Sequence, residues 1–246
     1  ICATEQSGDN IGYNIIKEIL KSNNQIIFDG VGGNKMSLFL KRQFYSLYDF
    51  KSMGIIEILF SIKKYIKMLD YLVNKIIINN YDLIITIDSP DFNYPLAKKI
   101  KNKNFQNKII HIVAPSVWAW RGGRAKKFAN IFDELLVLFD FEIKYFKKYG
   151  LKTTFIGHPV YYIKTIKSNL NGNFNIAFLP GSRLSELKTL MPYFQIAYEY
   201  LYKNYPKTNI FIPTLPHLEN FINEYTSKWN LKINISTNNK LIEENY

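Results

Sequence analysis

The chain has 246 residues, of which 47% are hydrophobic and 16% aromatic, enough for one large or two modest globular domains and too apolar for a disordered segment. Its single cysteine, Cys2, excludes a disulfide within the chain and fits a reducing compartment, and no apolar run approaches the length of a membrane span or the pattern of a signal peptide. The net charge of +12 invites an anionic partner (nucleic acid, an anionic membrane or a phosphorylated substrate), while the heavy use of Lys, Ile, Asn, Tyr and Phe offers compositional bias as the alternative.

Ile1-Cys2-Ala3 reads as the tail of a first strand, and an amphipathic helix is predicted over 11–21. The loop between them, from Thr4 to Gly12, is rich in small residues and can offer backbone N–H groups to an anion; Ser7 or Asp9 as a helix cap is the alternative. It matches neither dinucleotide nor P-loop patterns. A second strand from Ile26 runs into Gly30-Val31-Gly32-Gly33, and a short helix is predicted over 36–40. Apolar residues then recur with helical period at Ile55, Ile58, Leu59, Ile62, Ile66, Leu69, Leu72, Val73 and Ile76, flanked by Lys63, Lys64, Lys67 and Lys75. This is either a core-packed helix with a solvated face or one whose apolar side meets a bilayer.

The apolar run from Leu83 to Ile87 predicts a buried strand that stops at Asp88-Ser89-Pro90-Asp91. Ligands of open α/β sheets bind outside the carboxyl ends of the strands, so a carboxylate there can be aimed at a substrate proton. Capping of a helix over 94–101 is the plainer role for Asp88 or Asp91. A further strand over 108–113 ends in Pro115-Ser116-Val117-Trp118-Ala119-Trp120, where the two indoles could form a wall for a sugar or an acyl chain or pack in the core. A helix over 124–131, a strand over 134–137, a helix over 142–149 and a strand from Thr153 into Gly157-His158-Pro159 complete the first domain, with His158 read as structural.

Asn169-Leu170-Asn171-Gly172-Asn173 reads as a linker. A strand over 175–179 then meets Pro180-Gly181-Ser182-Arg183, a tight loop whose arginine suits a phosphate or carboxylate, and a helix follows from Glu186. Strands over 209–213 and 232–235 enclose a helix over 218–228. The repeated βα pattern predicts parallel sheets in two Rossmann-like domains, 1–165 and 173–246. The opening at Ile1 in mid-strand and the close at Tyr246 predict a piece of a longer protein, its second domain incomplete.

Seven motifs in register resemble the lipid-A-disaccharide synthases: Glu5-Gln6-Ser7-Gly8-Asp9, Gly30-Val31-Gly32-Gly33, Met53-Gly54-Ile55-Ile56-Glu57, Ile87 to Asn93, Pro115 to Trp120, Ile156-Gly157-His158-Pro159 and Leu179 to Arg183. The resemblance implies an α/β, GT-B-like fold, two Rossmann-type domains facing a cleft. It implies inverting transfer from UDP-2,3-diacylglucosamine to 2,3-diacylglucosamine 1-phosphate, giving a β-1,6-linked disaccharide and UDP, at the cytoplasmic face of the inner membrane. Asp88 is implied as the base, with Asp91 and Asn93 orienting it or the acceptor. Glu5, Ser7, Gly8, Asp9, Ser116 and Trp118 are implied to line the acceptor crevice, and Gly181, Ser182 and Arg183 to meet a phosphate. Ile55, Ile58, Leu59, Ile62, Lys63 and Ile66 are assigned to an anionic membrane surface. No metal or other cofactor is expected, no nucleic acid is expected as a partner, and a homodimer is left open. Two other readings remain at this point: another GT-B UDP-sugar enzyme, transferase or epimerase, and a basic nucleic-acid-binding protein.

Overall fold

The computed structural model describes residues 1–51, 58–162 and 175–237. The chain divides into two compact units, Ile1–Tyr162 and Ile163–Tyr246.

The first unit is built on a seven-stranded, wholly parallel sheet. In chain order its elements are β1 (Cys2–Ala3), α1 (Gln6–Ser22), β2 (Phe28–Gly32), β3 (Leu40–Ser46), α2 (Tyr48–Lys51), α3 (Ile58–Asn79), β4 (Leu83–Ile87), α4 (Pro90–Lys101), β5 (Lys108–Ile112), α5 (Arg124–Ala129), β6 (Glu134–Val137), α6 (Ile143–Lys147) and β7 (Lys152–Phe155). The spatial order is β3-β2-β1-β4-β5-β6-β7. Successive strands step away from β1 in one direction and, from β4 on, in the other, so the order reverses between β1 and β4. In a doubly wound sheet the crevice at such a reversal is where ligands bind.

Both faces of this sheet are covered, which is why the inner strands read as continuous apolar runs. Ile84 joins Leu69, Leu72, Val73 and Ile76 of α3 and Phe92, Leu96, Ala97 and Ile100 of α4 in one cluster. Its neighbours Ile85 and Ile87 face the other way, with Ile16 of α1 and Met36. The alternation follows from the two-residue period of a strand. α1 can lie against β1 and β4 because residue 8 is glycine. A Cβ at Gly8 would stand 3.1 Å from the Cβ of Ala3 and 3.4 Å from the carbonyl oxygen of Ile87.

One strand departs from the sequence expectation. The segment after Met36 forms only a short 3-10 turn, Met36–Leu38, and the chain then runs as the edge strand β3. The Leu-Lys-Arg-Gln-Phe-Tyr-Ser stretch is too polar to announce a strand, but its Arg42 pairs with the buried carboxylate of Asp29 on β2 at 2.6 Å, and Tyr81 donates to the same oxygen. Burial pushes the Asp29 pKa up, but the hydrogen bonds from Arg42 and Tyr81 and the charge of Arg42 outweigh it and hold the carboxyl below its usual value.

In the second unit, β8 (Asn175–Ala177), β9 (Asn209–Pro213) and β10 (Lys232–Ser236) form a parallel sheet ordered β10-β9-β8, with α7 (Leu184–Asn204) and α8 (Glu219–Thr226) between them in sequence. Phe178, Leu187, Met191, Ile210, Ile212, Ile222 and Trp229 make its separate core.

Candidate active site

β1 ends at Ala3 and β4 at Ile87, and these two residues pair in register. The loops that leave them therefore start side by side at the reversal of strand order. Asp88 follows β4 directly. Its N–H donates to the carbonyl of Ile112 at 2.8 Å, so its backbone is still tied to the sheet. Its φ is +54° and that of Ser89 is +44°, two consecutive left-handed residues without a glycine. Such a turn costs on the order of 1 kcal/mol or more per residue and persists only where neighbours over-determine it. Asn93 does so: its Nδ2 donates to the carbonyls of Ile87, at 3.1 Å, and Asp88, at 2.8 Å. Pro90 then opens α4, where its missing N–H costs nothing.

The half-buried carboxylate of Asp88 accepts from two donors. Ser89 N–H reaches Oδ1 at 2.8 Å, and the hydroxyl of Ser7, from the first turn of α1, reaches Oδ2 at 3.1 Å. A carboxylate can accept about four hydrogen bonds, so Asp88 retains capacity for a substrate hydroxyl. Glu5 and Ser7 are exposed on the same rim.

Asp9, expected to line the acceptor crevice, does not face it. Asp9 is fully buried, and its carboxylate accepts from the N–H groups of Gly33, Lys35 and Met36 at 2.7, 3.1 and 3.1 Å. It fixes the loop after β2, and Gly33 is needed there because a Cβ would come within 2.6 Å of Asp9 Oδ2. Asn93 is also fully buried, so it positions Asp88 and cannot touch a ligand. Gly8 likewise serves the packing of α1. Asp91 does stand on the surface, with its side chain paired to Arg124 of α5, and its backbone carbonyl accepts the hydroxyl of Tyr65 from α3.

The loop after β5 carries the tryptophans. Val113, φ +76°, is a β-branched residue in the left-handed region, and Arg121, φ +53°, is another non-glycine there. Buried Val117 anchors the turn, and Ser116, Trp118 and Trp120 are exposed. Trp118 packs edge-on against Phe141 at 5.0 Å, and Phe139 stacks on His158 at 5.5 Å, so aromatic side chains from the ends of β5, β6 and β7 gather on the carboxyl edge. The guanidinium of Arg121 lies 4.1 Å from the Trp120 ring, and that of Arg124 lies 5.9 Å from it. Sequence reading missed Arg121 and Arg124, although their spacing behind Trp120 was the available signal. It also missed Phe139 and Phe141, which follow the short strand β6.

The apolar stripe of α3 divides along its length. Met68, Leu69, Leu72, Val73 and Ile76 are buried, whereas Ile62 is 51% and Ile66 45% exposed, beside exposed Lys63 and Lys67. Ile55 lies outside the described residues, as do the side chains of Ile58 and Leu59. Among the described residues no helix is long and apolar enough to cross a membrane, and no three His, Cys, Asp or Glu side chains group as metal ligands.

In the second unit Gly181 takes φ +108°. The N–H groups of Ser182 and Arg183 donate to Glu186 Oε2 at 2.8 and 3.1 Å, and the Arg183 guanidinium meets Oε1 at 3.2 Å. The backbone donors of this loop, expected to meet a phosphate, thus carry the carboxylate of Glu186. Those backbone bonds, the one from Ser182 foremost, hold the Glu186 pKa below its usual value.

The family model for lipid-A-disaccharide synthetase matches residues 1–244. The chain belongs to the lipid-A-disaccharide synthase family. It is 33% identical over 225 residues to the lipid-A-disaccharide synthase of Acinetobacter baylyi, covering 87% of this chain and 57% of that protein. With that of Rickettsia typhi it shares 40% over 223 residues, 86% of this chain and 58% of the relative. The chain spans about three fifths of the length of the curated synthases it matches. Among solved structures it is similar to the UDP-GlcNAc 2-epimerase of Neisseria meningitidis bound to UDP-GlcNAc, with a TM-score of 0.66, 11% identity, and coverage of 99% of this chain and 73% of that one. A Listeria monocytogenes protein assigned as a UDP-N-acetylglucosamine 2-epimerase gives 0.61 at 12% identity, covering 96% and 66%. At such identities the likeness speaks for the fold alone, which is α/β and GT-B-like in this synthase-family chain.

Proposed function

We propose that the protein carrying this chain is an inverting glycosyltransferase that joins UDP-2,3-diacylglucosamine to 2,3-diacylglucosamine 1-phosphate, yielding the β-1,6-linked disaccharide 1-phosphate and UDP. The observation that supports it most is the family match over residues 1–244, joined to a carboxylate held at the reversal of strand order. Asp88 is the general base. It takes the proton of the acceptor 6-hydroxyl as that oxygen attacks the anomeric carbon from the face opposite the UDP. The new C–O bond forms as the bond to the diphosphate breaks, and UDP leaves with the electron pair. Ser7 and Ser89 hold the carboxylate in line. Glu5, Ser116, Trp118 and Asp91 line the acceptor side. The first unit serves the acceptor and the membrane, and the second the UDP-sugar through Gly181, Ser182 and Arg183, whose guanidinium and N–H groups must exchange Glu186 for phosphate oxygens.

The acceptor lives in a bilayer, and Ile62, Lys63 and Ile66 form the adjoining contact with the anionic cytoplasmic face of the inner membrane. The same helix reaches the site through Tyr65, so a membrane-bound α3 holds the crevice close to the lipid. A UDP-sugar epimerase shares the fold but is not favoured by the family match, and the lysines follow no nucleic-acid module. Phosphorus and carbon NMR of the full-length protein with both substrates tests the proposal. Formation of UDP together with a β-1,6-linked disaccharide is expected; epimerised donor, or UDP released without disaccharide, would overturn it.

A further inference from the structure

We propose that Arg121, seated on the Trp120 indole with Arg124 beside it, receives the phosphate monoester of the acceptor sugar. This rests on the glycosyl-transfer reading above. Four features carry it. First, Arg121 sits in a left-handed turn closed by Arg124 N–H donating to its carbonyl at 2.9 Å, and the turn returns the side chain onto Trp120. Second, a guanidinium held over an indole is pre-ordered, and among the described residues no carboxylate or other acceptor takes up the Arg121 N–H groups, which leaves their fork for two phosphate oxygens.

Third, a second guanidinium converges on the same ring, and among the described residues only Arg124 of the two has a carboxylate partner, Asp91. Two close cations against one carboxylate leave a positive balance that a phosphate monoester, with nearly two negative charges, neutralises. Fourth, this cluster stands on the loop after β5, the strand next to β4, whose end carries Asp88, and Arg124 is bonded to Asp91, three residues beyond it. The cation pair is thus linked to the base through one ion pair.

The assignment separates the phosphates by unit: the acceptor monoester goes to Arg121 and the donor diphosphate to the loop around Arg183. The test uses the full-length enzyme in neutral detergent micelles with 2,3-diacylglucosamine 1-phosphate and its dephosphorylated counterpart. For Arg121→Ala the KM of the phosphorylated acceptor rises roughly 10- to 100-fold, the worth of a charge-assisted pair of hydrogen bonds. The preference for the phosphorylated acceptor collapses, Arg121→Lys recovers part of it, and the KM of the UDP-linked donor moves less than about threefold. Acceptor binding by calorimetry weakens in parallel and reads the same contact without turnover. An unchanged acceptor preference overturns the assignment, as does a rise confined to the donor KM. An effect seen only on anionic vesicles overturns it too, because it would assign Arg121 to lipid headgroups. Disaccharide formation by the unaltered enzyme tests the glycosyl-transfer reading separately.

Discussion

Asp88 and Asp91 look alike in the sequence, two carboxylates three residues apart around a proline, and the fold gives them different surroundings. Asp91 has its side chain 82% exposed and paired with an arginine, a contact of small energetic worth at such a surface. Asp88 is half-buried, tied to Ser7 and Ser89, and carried on a strained turn that Asn93 holds from beneath. The strand stop at Asp88 was legible from Ile84 to Pro90. The inward turn of Asp9 and Asn93 was not, because a polar residue in a helix's first turn reads the same whether it meets a ligand or a backbone amide. Asn93→Ala removes two donors from buried carbonyls and should cost about 1–3 kcal/mol of stability. In the full-length enzyme it should lower kcat more than it raises KM, since it displaces the base rather than a binding group; steady-state kinetics beside a thermal melt checks both. His111 is fully buried against Phe128 and Phe132, its Nδ1 sharing a 2.8 Å hydrogen bond with Thr86 and its Nε2 without a partner among the described residues. Burial pushes its pKa down from 6.5 to about 3. The unfolded chain then binds more protons than the folded one between those values. The stability that neutral His111 contributes is therefore full above pH 6.5 and lost as pH falls toward about 3. Denaturant melts across that window should show a steeper decline for the natural chain than for His111→Asn.

At the scale of the element, strands buried on both faces were read most accurately. β4, β6 and β9 run over the residues their apolar cores predict, at Leu83–Ile87, Glu134–Val137 and Asn209–Pro213. β3 escaped because an edge strand is half-solvated, and its strongest tie, Arg42 to Asp29, joins residues thirteen apart whose pairing leaves no periodic trace. The apolar stripe of α3 was legible, but not its division, since helical period alone does not say where the neighbouring elements stop. Replacing both Ile62 and Ile66 by serine should weaken binding to anionic vesicles several-fold in a flotation assay and leave melting nearly unchanged, as surface substitutions do. Leu69→Ser, two per cent exposed on the same helix, should instead destabilise the first unit by several kcal/mol. A double serine variant that bound vesicles normally would remove α3 from the membrane contact.

At the scale of the whole chain, alternating strands and helices announced parallel sheets, and the spatial order β3-β2-β1-β4-β5-β6-β7 turned that pattern into a location by marking the reversal between β1 and β4. The sequence alone could not rank the candidates around that point. Strand order brings residues 7 and 88 into contact across eighty positions of chain, and only the fold shows that Ser7 serves Asp88. This carboxylate is proposed as the base of glycosyl transfer. Its most direct test is turnover of the two acylated sugar substrates by the full-length enzyme and by Asp88→Asn, beside their melting curves. With Asp88 as the base, kcat falls roughly 10²–10⁴-fold while melting is nearly unchanged. Near-normal turnover by the folded variant would contradict it.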